Sequence, residues 1–246
     1  MQFRLSVEAA CRRALSISLS VGSVALPLSH WPIRCTSAQR MRHALSIVLL
    51  AVLADSCGSS PVAPDSIETC AGFGEWQASP YVLPYGVGVS YFVDQGNCSS
   101  PGNGHRGVTK FGYDFLMPIG TPIYAARAGI VIQVEESHFD GQVAATGFDN
   151  VIVIQHDDGT TMLYGHLTHD GAAVSAGERV LQGALVGYSG NTGNTNNKPH
   201  LHLSAASCDP WSLGTANCPT LPMNFRNTDA NPQGLQPGRS YAALAY

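Results

Sequence analysis

The stretch that decides the fold reads Lys198-Pro199-His200-Leu201-His202-Leu203. Its alternation of polar and apolar residues is typical of a short β-strand, in which successive side chains point to opposite faces. His200 and His202 therefore share one face and can both reach one bound ion. The glycine- and asparagine-rich residues 187–194 before this strand predict a loop, and functional sites commonly lie beside loops. Two ordinary histidines on an edge strand are the alternative that this pattern alone leaves open.

The rest of the chain favours a compact β-rich protein. It has 246 residues, of which 26 are glycine and only 12% are charged, and this length allows one sizeable domain or two small ones. β-Branched runs between turn signals recur along residues 111–206, and none of them keeps a helical period. We predict an all-β fold, an antiparallel β sandwich or partly open barrel with long loops and a loop-rich N-terminal extension. In the tail, residues 219–227 are a candidate for one further strand.

Residues 1–57 have the pattern of a leader and signal peptide. A short basic start at Met41 precedes an apolar run at 44–54, which has the length of a signal-peptide core and is too short to span a bilayer. We therefore expect Met41 to be the true start and everything before it to be an upstream leader. The residues around Cys57 resemble a bacterial lipoprotein box, which would attach lipid to this cysteine and anchor the protein to a membrane; ordinary signal-peptide cleavage is the alternative. The pattern predicts an exported protein of the periplasm or cell envelope.

The charge balance argues against nucleic acid as a partner. Six of the 13 lysine and arginine residues and two of the 17 acidic residues lie within residues 1–57. Seven basic and fifteen acidic residues remain, so the rest of the chain has a formal net charge of −8, against −4 for the whole. A nucleic-acid-binding domain would need a basic surface, which this composition does not supply.

The cysteines outside the leader form two local pairs. Cys70 and Cys98 lie before the strand-rich region, and Cys208 and Cys218 lie after it. Pairing within each local pair is the most favoured of the three connectivities that four cysteines allow, and disulfides agree with export to an oxidising compartment. A zinc site built from these cysteines is the rival interpretation, and it is disfavoured because the sequence contains no Cys-x-x-Cys motif.

Further polar residues accompany the two histidines of the opening strand. His166 follows an apolar strand pattern, and His105 lies in a glycine-rich segment. Asp114 lies between aromatic residues, where an unpaired carboxylate would be costly, so it needs a cation, a hydrogen-bond donor or exposure. One carboxylate and two imidazoles, with a fourth position left for water, is the usual composition of a catalytic zinc site.

Several motifs then occur in a fixed order along the chain: Asp114-Phe115-x-Met117-Pro118-x-Gly120-Thr121-Pro122, Tyr164-Gly165-His166-Leu167, Val180-x-x-Gly183, Gly187-x-Ser189-Gly190-x-Thr192-Gly193 and Pro199-His200-Leu201-His202. Over about residues 104–206 this order resembles the lysostaphin and LytM-type zinc metallopeptidases, which are peptidoglycan endopeptidases. The composition of residues 58–103, rich in serine, proline and glycine, predicts a tether and a loop-rich extension. With the resemblance, residues 104–246 would be a metallopeptidase domain with a C-terminal extension.

The resemblance also implies the roles of the site residues. Asp114 and His202 would be ligands of one zinc ion per chain, and His166 and His200 would be the catalytic histidines beside the attacking water. The substrate would be a peptide of peptidoglycan, cut in a stem or in a cross-bridge.

One departure from the family pattern concerns the first metal ligand. The commoner form of the family has a histidine four residues before the aspartate, and here that position holds Lys110, a poor zinc ligand. We expect His105 to supply the missing ligand, with a few residues inserted before Asp114. The alternatives are that His105 is an exposed loop histidine and that the site has lost its first ligand.

Two other classes of function are alternatives to an enzyme. A catalytically inactive relative that binds the wall or activates another hydrolase would be marked by lost ligands, and only Lys110 points that way. A lipoyl-type carrier is suggested by the glycine–valine pattern at 177–183, but the sequence has no lysine in a suitable hairpin tip. We expect the remaining polar candidates to be neither ligands nor catalytic: His138, His156, His169, Arg127 and Glu135.

Overall fold

The computed structural model describes residues 70–98, 105–141, 149–214 and 217–246. These residues belong to one compact unit. The predicted start at Met41, the signal peptide and the lipid site at Cys57 all lie outside the described residues. None of the helices in the described ranges has the length and apolar character needed to cross a bilayer.

The described residues form eleven strands and very little helix. The strands are β1 (Ser90–Gln95), β2 (Tyr113–Leu116), β3 (Pro122–Tyr124), β4 (Gly129–Glu135), β5 (Val151–Gln155), β6 (Thr161–Gly165), β7 (Leu167–Ala172), β8 (Arg179–Val180), β9 (Leu185–Ser189), β10 (His200–Ala206) and β11 (Ser240–Ala242). The helical elements are two 3-10 turns, Trp76–Ala78 and Gly107–Thr109, and the single-turn helix α1, Pro210–Leu213.

The strands assemble into two sheets. The larger has eight strands in the order β11-β1-β2-β10-β6-β5-β4-β8, and the smaller has three in the order β3-β9-β7. All strand pairs within both sheets are antiparallel. The prediction of an all-β, antiparallel fold is therefore confirmed.

Strand β10 shows how the sequence divides the large sheet into two faces. Leu201 and Leu203 are fully buried in the hydrophobic core, together with aromatic residues of β2 and aliphatic residues of β5. The histidines at 200 and 202 alternate with these leucines, so they lie on the opposite face. One face of the sheet therefore packs against the hydrophobic core, and the other face carries the polar side chains.

Part of the predicted N-terminal extension is built into the large sheet. Strand β1 pairs with β11 on one side and with β2 on the other. Val93 of this strand, and Leu83 and Tyr85 before it, are buried in the core. Apart from the 3-10 turn Trp76–Ala78, the remainder of the described extension is loop. The division of the chain at residue 104 stays a prediction.

The structure decides two further sequence predictions. Both local disulfides, Cys70–Cys98 and Cys208–Cys218, are formed, which confirms the predicted pairing. The candidate strand at 219–227 is wrong, because only Thr220 makes an isolated bridge, to Ala206. Side-chain and backbone contacts to neighbouring elements hold this segment instead; the Tyr113 hydroxyl of β2, for example, donates to the Met223 carbonyl oxygen at 2.6 Å.

Candidate metal centre

Strand register brings the predicted site residues to one row of the large sheet. His202 of β10 lies opposite Asp114 of β2 on one side and opposite Gly165 of β6 on the other. Val151 of β5 continues the row beyond Gly165. His105 enters from the segment before the 3-10 turn Gly107–Thr109. Residues far apart in the sequence thus meet on the face opposite the core.

Three side chains converge in this row. The potential ligand atoms of His105, Asp114 and His202 all lie within 4.8 Å of one another, and this is the one such group among the described residues. Asp114 Oδ1 lies 3.3 Å from His105 Nε2 and 2.9 Å from His202 Nδ1. The structure therefore places His105, and not Lys110, beside Asp114.

Gly112 makes the close approach of the two imidazoles possible. A Cβ atom at this position would lie 2.9 Å from His202 Cε1 and 3.2 Å from the His105 ring. Contacts this short force a neighbouring group to move. A side chain at residue 112 would therefore disturb the packing of the two rings beside Asp114.

The protonation states of the cluster suit a cation. Burial of Asp114 opposes its ionisation, but hydrogen bonds from His105 and His202 outweigh that effect and hold the pKa of Asp114 well below its usual range. Burial lowers the pKa of His202, which favours the neutral imidazole. A carboxylate and neutral imidazole are the forms that ligate zinc.

The donor set fits a divalent transition metal. Two imidazole nitrogens and one carboxylate oxygen, on side chains that are 5–18% exposed, converge beside an open groove. Such a three-ligand set leaves a coordination position for water or substrate, as catalytic zinc sites require. The residues present therefore fit the metal that the sequence pattern implies.

His166 and His200 lie next to this cluster. Their ring centroids are 4.5 Å apart, and His200 Nε2 lies 3.7 Å from Asp114 Oδ2. His166 Nδ1 lies 2.8 Å from the Thr192 carbonyl oxygen, and His200 Nδ1 lies 2.7 Å from the Lys198 carbonyl oxygen. A carbonyl oxygen only accepts, so Nδ1 of each ring carries the proton and Nε2 is left free for chemistry.

The backbone at His166 is unusual. This residue lies between β6 and β7 and has a φ of 62°, in the left-handed region. Non-glycine residues with this conformation carry a backbone cost of about 1–3 kcal/mol, and they persist where the surrounding structure holds them in place. The strand pairs on both sides of His166 supply that restraint.

Asp149 is a site residue that the sequence analysis missed. Its Oδ1 lies 3.2 Å from His166 Nδ1. Burial alone would lower the pKa of His166, but the neighbouring Asp149 carboxylate raises it. The carboxylate also lies against Gly193, where a Cβ atom would come within 1.3 Å of Oδ1. The only sequence signal was an acidic residue two positions before the start of β5.

The other polar candidates have partners of their own. His156 is buried with Nδ1 2.8 Å from the Ala128 carbonyl oxygen, and burial lowers its pKa. Arg127 pairs with Asp158 at 2.8 Å. The His169 ring stacks on Phe139 with centroids 3.9 Å apart.

Two of these candidates, His138 and Glu135, contact each other. Lys110 contacts the adjacent Phe111. His138 Nε2 lies 3.9 Å from Glu135 Oε1. Lys110 Nζ lies 5.1 Å from the centroid of the Phe111 ring. None of these candidates contributes to the metal-ligand group found among the described residues.

The cluster opens into a groove of about 260 Å³. His105, Asp149, His166 and His202 are among the residues that line it, and so is Trp211. The cluster therefore faces a groove rather than the hydrophobic core.

Comparison with known proteins adds an independent finding. Residues 108–210 match the model of Peptidase family M23, a range that includes Asp114, His166, His200 and His202 and begins after His105. Peptidoglycan DD-endopeptidase ShyA of Vibrio cholerae is 38% identical over 91 residues, which are 37% of this chain and 19% of that protein. Lysostaphin of Staphylococcus staphylolyticus is 32% identical over 116 residues, 47% of this chain and 22% of that protein.

Among solved structures, the catalytic domain of the antimicrobial peptidase lysostaphin from Staphylococcus simulans is similar, with 26% identity and a TM-score of 0.36. The similarity covers 57% of this chain and 84% of that one. The chain spans only about a fifth of the length of the two relatives above.

Proposed function

The chain carries a Peptidase family M23 domain at residues 108–210, and from that premise we propose that it is an exported zinc metalloendopeptidase. Its substrate would be a peptide bond in the stems or cross-bridges of bacterial peptidoglycan. The observation that carries the proposal is the convergence of His105, Asp114 and His202 within 4.8 Å beside an open groove.

His105, Asp114 and His202 would hold one zinc ion per chain. A bound zinc ion lowers the pKa of a coordinated water toward about 7 and polarises a peptide carbonyl. The chain itself contributes an ionised carboxylate and two imidazoles, and the close packing of Gly112 supports their arrangement.

His166 and His200 would move the protons of the reaction. Because backbone carbonyls fix the proton on Nδ1 of both rings, Nε2 of each can accept or donate a proton at the substrate. One ring removes a proton from the attacking water, and the other donates to the oxyanion that develops on the scissile carbonyl. Asp149 beside His166 favours the protonated form of that ring.

Hydrolysis of purified peptidoglycan tests the function. The zinc-loaded protein should release soluble peptides, detected by mass spectrometry. His166→Ala should retain zinc and lose turnover, whereas His202→Ala should lose both. His169→Ala removes a histidine outside the cluster and serves as the matched control, with activity expected to be unchanged. Wild-type activity in His166→Ala or His202→Ala would overturn the assigned roles.

A non-catalytic wall-binding protein is the second candidate function. Its support is Lys110, which occupies the position of the first histidine ligand in the commoner form of the family. The contact of His105 with Asp114 favours the enzyme. A protein that binds peptidoglycan, retains no zinc when the metal is supplied and releases no peptide would instead be the regulator.

Location in the cell envelope belongs to the same proposal. It is supported by the export pattern of residues 1–57 and by the two disulfides. Lipid on Cys57 would tether the protein to a membrane, and the intact mass of the exported product tests both the start at Met41 and the lipid. A mature product that retains residues 1–40 would contradict that start.

A further inference from the structure

We propose that Thr220, which lies beyond the end of β10, is a positioning residue for His105. Its hydroxyl and backbone hold the turn that follows this histidine. The inference rests on the proposed function in one respect, namely that His105 is a metal ligand. It adds a residue that controls zinc affinity without touching the ion. Neither residue lies within residues 108–210, the range that matches the family model.

The ring of His105 is not oriented through its second nitrogen. Metal-ligating histidines commonly donate the proton of that nitrogen to a carboxylate or carbonyl oxygen, which fixes the ring. In His105, Nε2 lies 3.3 Å from Asp114 Oδ1, whereas the buried Nδ1 has no hydrogen-bond partner among the described residues. The orientation of the ring therefore depends on the backbone that carries it and on packing against Gly112.

That backbone is a long connection. His105 lies nine positions before Asp114, and the chain between His105 and the start of β2 is loop apart from the 3-10 turn Gly107–Thr109. A longer connection between two ligands has more conformations to lose when they are brought together. Contacts from other parts of the chain can remove that freedom in advance.

Thr220 makes three hydrogen bonds to this connection. Its backbone N–H donates to the Val108 carbonyl oxygen at 2.7 Å. Its hydroxyl donates to the same carbonyl oxygen at 3.0 Å and accepts from the backbone N–H of Phe111 at 3.0 Å. A hydroxyl can donate and accept at once. Because Val108 belongs to the turn and Phe111 follows it, Thr220 fixes the path by which the chain leads from His105 to β2.

Thr220 is itself fixed to the strand that carries the other imidazole ligand. It forms an antiparallel bridge with Ala206 at the end of β10. The backbone N–H of the next residue, Leu221, donates to the Ala205 carbonyl oxygen at 2.8 Å. The disulfide Cys208–Cys218 closes the chain between β10 and this point. Strand β10 thus carries one imidazole directly and positions the other through Thr220.

The zinc affinity of the full-length protein tests this role without turnover. Thr220→Val keeps the size of the side chain and removes the hydroxyl, so two of the three hydrogen bonds are lost. We expect this variant to bind zinc about tenfold more weakly than the wild type, as is usual when a group that orients a metal ligand is removed. Competition with a chromogenic chelator measures the change. Thr220→Ser retains the hydroxyl and should recover most of the wild-type affinity.

Thr228→Val is the matched control. Thr228 is buried, and its hydroxyl donates to the Ala242 carbonyl oxygen of the edge strand β11 at 2.8 Å. This variant also replaces a hydrogen-bonded threonine by valine, and its zinc affinity should equal that of the wild type. Melting curves of the metal-free proteins compare the effects on stability. Equal zinc affinities for wild type and Thr220→Val, or an equal fall in Thr220→Val and Thr228→Val, would overturn the proposal.

A double variant shows whether the effect of Thr220 runs through His105. Direct titration at higher metal concentration measures the residual zinc affinity of His105→Ala. Adding Thr220→Val should lower that affinity by no more than about twofold, because a change that acts only through a missing side chain has nothing left to act on. A fall of about tenfold in both backgrounds, as independent effects give, would mean that Thr220 supports the fold in general and would overturn the proposal.

Peptide release from peptidoglycan distinguishes failure of this inference from failure of the proposed function. Weaker zinc binding by Thr220→Val, together with a wild type that binds zinc but releases no peptide, would support the positioning role and contradict the endopeptidase. Equal peptide release by wild type and Thr220→Val at the same limiting zinc concentration would contradict the positioning role and support the endopeptidase. A wild type that binds no zinc would contradict both.

Discussion

Gly112 sets how closely the His105 and His202 rings approach Asp114. Because a Cβ atom there would lie 2.9 Å from His202 Cε1, Gly112→Ala should displace the rings and weaken zinc binding about 10- to 100-fold, the usual effect of changes that disturb the orientation of metal ligands. Competition with a chromogenic chelator measures this affinity. Gly74→Ala is the matched control, since a Cβ atom at that position meets nothing within 4 Å. Equal zinc affinities for both variants would contradict the account.

Asp149 controls the protonation of His166. Its nearby carboxylate charge raises the pKa of His166 against the effect of burial, so Asp149→Asn should lower that pKa. At a pH between the two values, the ring is protonated in the wild type and neutral in the variant. Titration of the histidine ring resonances by NMR, on metal-free protein, measures the shift. Asp158→Asn, which removes the partner of Arg127, should leave the His166 resonance unchanged, and an unshifted His166 pKa in Asp149→Asn would refute this role.

At the residue scale, local patterns could predict only part of the cluster. The alternation around His200 and His202 placed both rings on one face, and the aromatic neighbours of Asp114 showed that its carboxylate needs a partner. The contact of Asp149 with His166 depends on two segments at the same end of the neighbouring strands β5 and β6. No pattern within either segment carries that information.

At the scale of single elements, strands with a clear local pattern, such as β5 and β6, were predictable from the sequence. Strand β1 was not. Residues 151–155 and 161–165 are mostly apolar runs that form β5 and β6 on either side of a turn. Strand β1 was missed because prolines and glycines precede its short run. It forms because β2 and β11 supply hydrogen-bond partners on both sides. Non-local pairing of this kind decides the outcome over local propensity.

The disulfide Cys70–Cys98 joins the loop before β1 to the loop that follows β1. It closes a sequence separation of 28 residues, so the double variant Cys70→Ser/Cys98→Ser should lose about 2–4 kcal/mol of unfolding free energy through the greater freedom of the unfolded chain. Chemical denaturation monitored by fluorescence measures this difference. Cys208→Ser/Cys218→Ser opens a separation of only 10 residues and should lose less. An unchanged midpoint for the first pair would contradict the expected restraint.

At the scale of the whole molecule, the two faces of the large sheet have different roles. Its inner face packs the core, and its outer face carries the metal row and the groove. The sequence predicted this division through the alternation in β10. It did not predict that the segment before residue 104 supplies part of the same core, because burial of Leu83 and Val93 follows from packing rather than from a local pattern.

A truncated chain tests the contribution of β1 to the whole fold. A protein that begins at residue 104 lacks β1, which leaves β2 and β11 without their shared partner and exposes the core residues that β1 covers. We expect this variant to show no cooperative thermal transition, whereas a chain that begins at residue 70 retains one. Circular dichroism melting curves measure both. A cooperative transition at the same temperature in the two truncations would show that β1 is dispensable.

The zinc content of the full-length protein tests the central claim most directly. The test determines zinc per chain by mass spectrometry after dialysis, for the wild type, His105→Ala and the control His169→Ala. The account predicts close to one zinc ion per chain in the wild type and the control, and a loss of zinc in His105→Ala. Zinc retained in His105→Ala would show that His105 is not a ligand, and a wild-type protein without zinc after metal is supplied would contradict the metallopeptidase itself.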